Sequence, residues 1–160
     1  MQHAFRRLGA APLVIAIAGA SVAALAQQAP KPEQLIKWRQ SAFQVIAWNN
    51  GRIKASLDGT YNKDEVVKAA NTIAALANGG LGSLFAPGTE HGKGWHETSA
   101  KPELFQDGSK HAGELAASFA KEASELARVA AIGEAAAVKD QFGKLNRTCK
   151  SCHDDFRAKD

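Results

Sequence analysis

One spacing near the C-terminus constrains this chain more than any other feature. Ala135, Val138, Phe142, Leu145, Cys149, Cys152 and Phe156 follow one another at alternating steps of three and four. Residues so spaced share one stripe of an α-helix, and an unbroken stripe is the seam of a helix packed among other helices. Cys149 and Cys152 both occupy the seam, and His153 follows directly.

The preceding chain reads the same way. Runs of β-branched residues are nearly absent after the first 26 residues, and the abundant alanine favours helix and close helix approach. A first segment runs from about Pro32 to Leu57, with Pro32 and Glu33 suited to its opening turn and Asp58-Gly59 ending it. Its stripe is Ile36, Arg39, Phe43, Ile46, Asn50, Ile53 and Leu57. A second spans about Lys63 to Asn78, with Val66, Ala70, Ile73 and Ala77 inward, and Leu81, Leu84 and Phe85 extend it by a further turn. A long connection from Ala86 to Gln106 leads to a third segment, about Ser109 to Ala131, with Ala112, Leu115, Phe119, Leu126 and Val129 on its apolar face. Gly133 separates it from the fourth, about Glu134 to Arg157. Four amphipathic helices with mainly short links predict an all-α, antiparallel four-helix bundle; an irregular helical domain is the alternative.

Residues 1–26 read as an address. Arg6 and Arg7 precede an apolar run, Leu8 to Leu25, which closes on Ala24-Leu25-Ala26, the pattern of a secretory signal cleaved after Ala26. An uncleaved anchor is the competing reading, weakened by Gly9, Pro12 and Gly19. Residues 27–160 then form one exported domain with no membrane association, and the periplasm is the simplest destination. The formal charge of +4, without a dense basic patch interleaved with aromatics, argues against nucleic acid.

Cys149-Lys150-Ser151-Cys152-His153 is the C-x-x-C-H signature of c-type haem attachment. Two thiols add across the two vinyl groups of one porphyrin edge, and the adjacent histidine reaches the iron as an axial ligand. A zinc site would need two more well-placed ligands, a thioredoxin-like site a preceding strand, and a disulfide would strain a regular helix. The seam position places one haem c per chain inside the bundle near one end. The second axial position has no methionine to fill it, because Met1 lies in the leader. His91, His96 and His111 sit in or beside the long connection and read as solvated. His153 alone gives five-coordinate iron with one open face. Phe43 on the first stripe suits that face, or ordinary core packing. Arg39 and Gln40 suit the haem propionates, with a solvated helix cation as the other reading of Arg39.

On CKSCHDDFR, KPEQLIKWRQSAF, and FAPGT followed by AKPELF, the chain resembles cytochrome c′, the class II c-type cytochromes. The resemblance covers residues 27–160. It implies a four-helix bundle, often a homodimer, with high-spin haem. It also implies Phe43 as the distal residue, Arg39, Gln40, Lys101, Ser99 and Glu103 as propionate-side contacts, and Arg157 as a basic residue on the proximal side. EHGKGWHETS lengthens the connection beyond what the resemblance implies. Binding of nitric oxide and carbon monoxide is expected, with Fe(III)/Fe(II) cycling. A dedicated electron carrier serving an unidentified periplasmic partner is the alternative. A peroxidase-like enzyme ranks last, since the first helix offers no acid or base beside Phe43.

Overall fold

The computed structural model describes residues 29–106 and 110–159. The leader and its cleavage site lie outside the described residues, as does Ser109, the expected start of the third helix. Four helices account for most of the chain: α1 (Pro32–Asp58), α2 (Lys63–Asn78), α3 (Lys110–Ile132) and α4 (Ala135–Phe156). Two 3-10 turns, Leu81–Leu84 and Pro102–Phe105, punctuate the long connection. The further turn expected after α2 is therefore present in a tighter form. No described helix is long and apolar enough to cross a membrane.

Local chemistry sets the helix ends. Pro32 opens α1, and the Lys31 amide donates to Gln34 Oε1 at 3.2 Å. Asn62 caps α2 by accepting from the Glu65 amide, while its own amide donates to the buried Ser56 hydroxyl at 2.8 Å. Gly80, at φ 79°, supplies the left-handed residue that turns the chain out of α2. Links of a few residues then force α1 against α2, and α3 against α4, as antiparallel neighbours.

Ile46 and Ile53 of α1, Val66, Ala69, Ala70 and Ile73 of α2, Ala123, Leu126 and Ala130 of α3, and Val138, Phe142 and Leu145 of α4 form one buried cluster. The four alanines let the helices approach closely. The expected stripe of α1 differs at three places. Asn49 and Ser56 are buried instead of Asn50 and Leu57, and Phe43 is 38% exposed. The cause is lateral: α1 lies along α2 and approaches α4 at few residues. Asn49, Arg52 and Ser56 line the α2 side, where Arg52 pairs with Glu65. Asn50 lies on the α4 side and donates to Asn146 Oδ1 at 2.8 Å.

Candidate haem site

The α4 seam holds as far as Leu145, which is buried, and becomes half-buried at Cys149, Cys152 and Phe156. Both cysteines are free thiols. Burial raises the pKa of each, and at Cys152 the negative charge of Asp155 adds to it. His153 is exposed as a residue, yet partial burial and the charge of Arg157 hold its pKa below the usual histidine value, against Asp154. The neutral imidazole so favoured is the form that has a lone pair to give.

The far half of the long connection is strapped across the end of α4. Lys101 N donates to Phe156 O and Ala158 N donates to Ser99 O, each at 2.8 Å, and Ala100 pairs with Arg157 in an antiparallel bridge. Lys101 Nζ donates to the carbonyls of Asp154 and Asp155 at 3.2 and 2.9 Å. These are among the last carbonyls of a helix, which have no intrahelical donor, and a cation also suits the negative end of the helix dipole. His111, at the start of α3, sits 2.9 Å from Asp155 Oδ2 and lies against Phe156 with ring centroids 5.8 Å apart.

The near half of the connection is fixed on α1. Arg39 is 3% exposed. Its Nη1 donates to Thr89 Oγ1 at 2.7 Å and Leu84 O at 3.3 Å; its Nη2 donates to Thr89 O at 2.8 Å and Thr98 Oγ1 at 2.6 Å. The solvated reading of this cation is thus overturned. Burial lowers its pKa, opposed by Glu90, but a guanidinium remains charged. Gln40 Nε2 donates to His96 O at 2.9 Å, and its Oε1 accepts from the Trp95 amide at 2.7 Å. Phe43 meets Phe85 edge-on at 6.2 Å, and Phe85 lies 6.2 Å from Phe105.

Of the expected site residues, the structure gathers Ser99, Lys101, Arg157 and the attachment motif at the end of α4. It joins Arg39, Gln40 and Phe43 to the connection from the α1 side. Glu103 is exposed on the second 3-10 turn. His91, His96 and His111 are all exposed, as expected. Sequence reasoning missed the buried Thr89, the hydroxyl of Thr98 and the rings of Phe85 and Phe105. Phe85 and Thr89 lie inside FAPGT, but nothing in that string reveals that both serve Arg39.

A profile of the cytochrome C′ family matches residues 34–157. The chain belongs to the cytochrome c′ family. Cytochrome c′ of Rhodocyclus tenuis is 67% identical over 131 residues, covering 81% of this chain and 98% of the relative. That of Allochromatium vinosum is 43% identical over 159 residues, covering 99% and 100%. A solved cytochrome c′ with ligand-controlled dimer dissociation superposes with a TM-score of 0.78 at 48% identity, over 81% of this chain and 98% of the other. Variants of the cytochrome c′ of Alcaligenes xylosoxidans, 27% identical over the same shares, are known as a nitric oxide complex (TM-score 0.71) and with carbon monoxide bound (0.70).

The family carries covalently attached haem c. The donor set fits that group. Two unpaired, half-buried thiols one helical turn apart precede a histidine whose environment favours its neutral form. Among the described residues no cluster of three or more His, Cys, Asp or Glu offers a competing metal site.

Proposed function

We propose that this chain is an exported, periplasmic haem protein whose iron, held by the protein from one side only, binds nitric oxide and carbon monoxide. Cys149 and Cys152 hold the porphyrin through thioethers and His153 is the axial ligand. Arg157 sits on the proximal side, where its charge adds to partial burial in disfavouring the protonated imidazole. Haem c supplies an iron that alternates between ferric and ferrous states and accepts a small ligand on an open face.

The support for this reading comes from Phe43, the residue that the resemblance puts on the distal side. Phe43 has no donor atom and no lone pair, and its ring meets that of Phe85. The mature region has no methionine. His96 is engaged with Gln40 and the Glu97 carbonyl, and His111 with Asp155. A distal face without a donor gives dioxygen no hydrogen bond, whereas nitric oxide and carbon monoxide do not need one. Of the propionate-side residues, Ser99 and Glu103 keep their side chains clear of described partners. Gln40 and Lys101 would meet the propionates with donors that also fasten the connection, and Arg39 would have only its Nε–H left for them.

Two further points support the reading. The match to the Rhodocyclus tenuis relative covers 98% of that protein and 81% of this chain, so the part of this chain left unmatched is about as long as the leader. Trp38, Val45 and Trp48 expose 48%, 42% and 64% of their surfaces along one outer face of α1, an apolar strip suited to a second copy of the chain. Absorption spectra of the purified protein, oxidised, reduced and reduced under carbon monoxide, test the proposal. High-spin spectra and a new band with the gas are expected. A low-spin spectrum in both oxidation states, unmoved by the gas, overturns it in favour of a dedicated electron carrier.

A further inference from the structure

A buried guanidinium is costly unless its N–H groups are paired. All four terminal N–H groups of Arg39 are paired, and every acceptor belongs to the long connection or to the 3-10 turn that leads into it. Thr89 follows the first 3-10 turn and Thr98 precedes the second, so one cation grips both arms of that connection. It also carries two rings: its Cζ lies 4.9 Å from the Phe85 centroid and 5.5 Å from that of Phe105. Phe85 directly follows the first 3-10 turn, Phe105 ends the second, and Phe85 is the ring against which Phe43 rests. A cation recruited only to meet a propionate would not be distributed among three protein residues and two aromatic faces.

We propose that Arg39 is a positioning residue for the distal side: it clamps the connection to α1 and so fixes Phe85 and Phe105 as a gate beside Phe43, through which a small uncharged ligand passes. The proposal rests on the reading of Phe43 as the distal residue. Lysine cannot replace arginine in this role. Its ammonium is a compact charge, whereas the clamp uses a planar fork with four directed donors and two stackable faces. A purely electrostatic role toward a propionate would tolerate the exchange.

The test uses the processed holoprotein as wild type, Arg39→Lys, Thr98→Val and Phe85→Leu, with two measurements. In amide hydrogen exchange, the Thr89 and Thr98 amides, which donate to Ala86 and Gly92 carbonyls, are expected to exchange at least about tenfold faster in Arg39→Lys. They should exchange faster in Thr98→Val as well, while Ile53 and Leu126 keep their wild-type rates. In carbon monoxide rebinding to the ferrous protein after photolysis, Arg39→Lys and Phe85→Leu are expected to raise association and dissociation by a common factor. A gate alters the path to the site and leaves the bound state alone. Unchanged exchange in both Arg39→Lys and Thr98→Val overturns the clamp. Unchanged rebinding in Phe85→Leu overturns the gate. A wild-type protein that binds no carbon monoxide refutes the gas-binding reading instead, and the exchange data still decide the clamp.

Discussion

At His153 two influences act in one direction: partial burial and the charge of Arg157 both disfavour the imidazolium. The proposed ligand is therefore prepared by its neighbours as well as by its place beside Cys152. Replacing His153 with Ala is expected to leave the haem attached through both thioethers while the ferric and ferrous spectra lose their native form; a spectrum identical to wild type would remove His153 from the iron. Phe43 is the complementary case. Methionine at that position places a thioether where the chain otherwise offers none, so Phe43→Met should convert the absorption spectrum from high-spin to low-spin. A spectrum that stays high-spin would mean that Phe43 lies off the axis. Sequence reasoning singled out both, His153 from a five-residue signature and Phe43 from a helical stripe on which the structure leaves it 38% exposed. Thr89 was not. A threonine in a Gly- and Pro-rich stretch reads as a turn residue, and its complete burial follows from a cation fifty positions earlier that no local pattern connects to it.

Among the elements, the four helices were legible nearly to the residue because apolar periodicity, Pro32, Asn62 and the glycine stops all agree. The long connection was legible only as a loop of functional length. Its two 3-10 turns, its hold on α1 and its strap over α4 depend on contacts distant in sequence. Gly94 shows how close that hold is. A Cβ at this position would stand 2.7 and 2.8 Å from the backbone N and Cα of Lys37, atoms that cannot swing aside, and 2.5 Å from Gln40 Oε1. Gly94→Ala is therefore expected to cost about 1–3 kcal/mol, as overpacking does. Thermal unfolding should show a lower midpoint, and Trp95, which packs on Lys37 and donates to Ser41 Oγ, should report the displacement by fluorescence. A midpoint and emission equal to wild type would contradict the contact. The tie between α1 and α2 makes a pH prediction. A hydrogen bond from Arg52 and its charge hold the Glu65 carboxyl below the usual glutamate range. A carboxylate whose folded pKa is depressed stabilises the fold above its unfolded pKa, and that contribution disappears as pH falls through the folded value. Glu65→Gln should accordingly lower the unfolding midpoint at neutral pH, with the two curves converging at acid pH. Curves that stay parallel throughout would show that the pair contributes nothing through charge.

For the molecule as a whole, side chains build the core at one end, around Ile53, Ile73, Leu126 and Val138, and the attachment motif occupies the other, where the α4 seam is half-buried. The outer face of α1 lies on neither side of this division. Trp38, Val45 and Trp48 recur at steps of seven and three, so they share one face, and among their side chains only that of Trp48 has a described partner, Arg52 over its ring at 4.7 Å. Aromatic residues on an exposed strip of this kind act as anchors when two surfaces meet. A charge at the middle of such a strip would have to be desolvated in a dimer while remaining solvated in a monomer. Val45→Glu is therefore expected to leave the helical circular dichroism and the haem spectrum unchanged, because Val45 contributes little to the interior. The same substitution should weaken self-association at least about tenfold. Sedimentation equilibrium separates the outcomes. Wild type should sediment as a dimer where Val45→Glu sediments as a monomer. Equal masses for the two proteins, whether both dimeric or both monomeric, would show that this face of α1 joins no second copy.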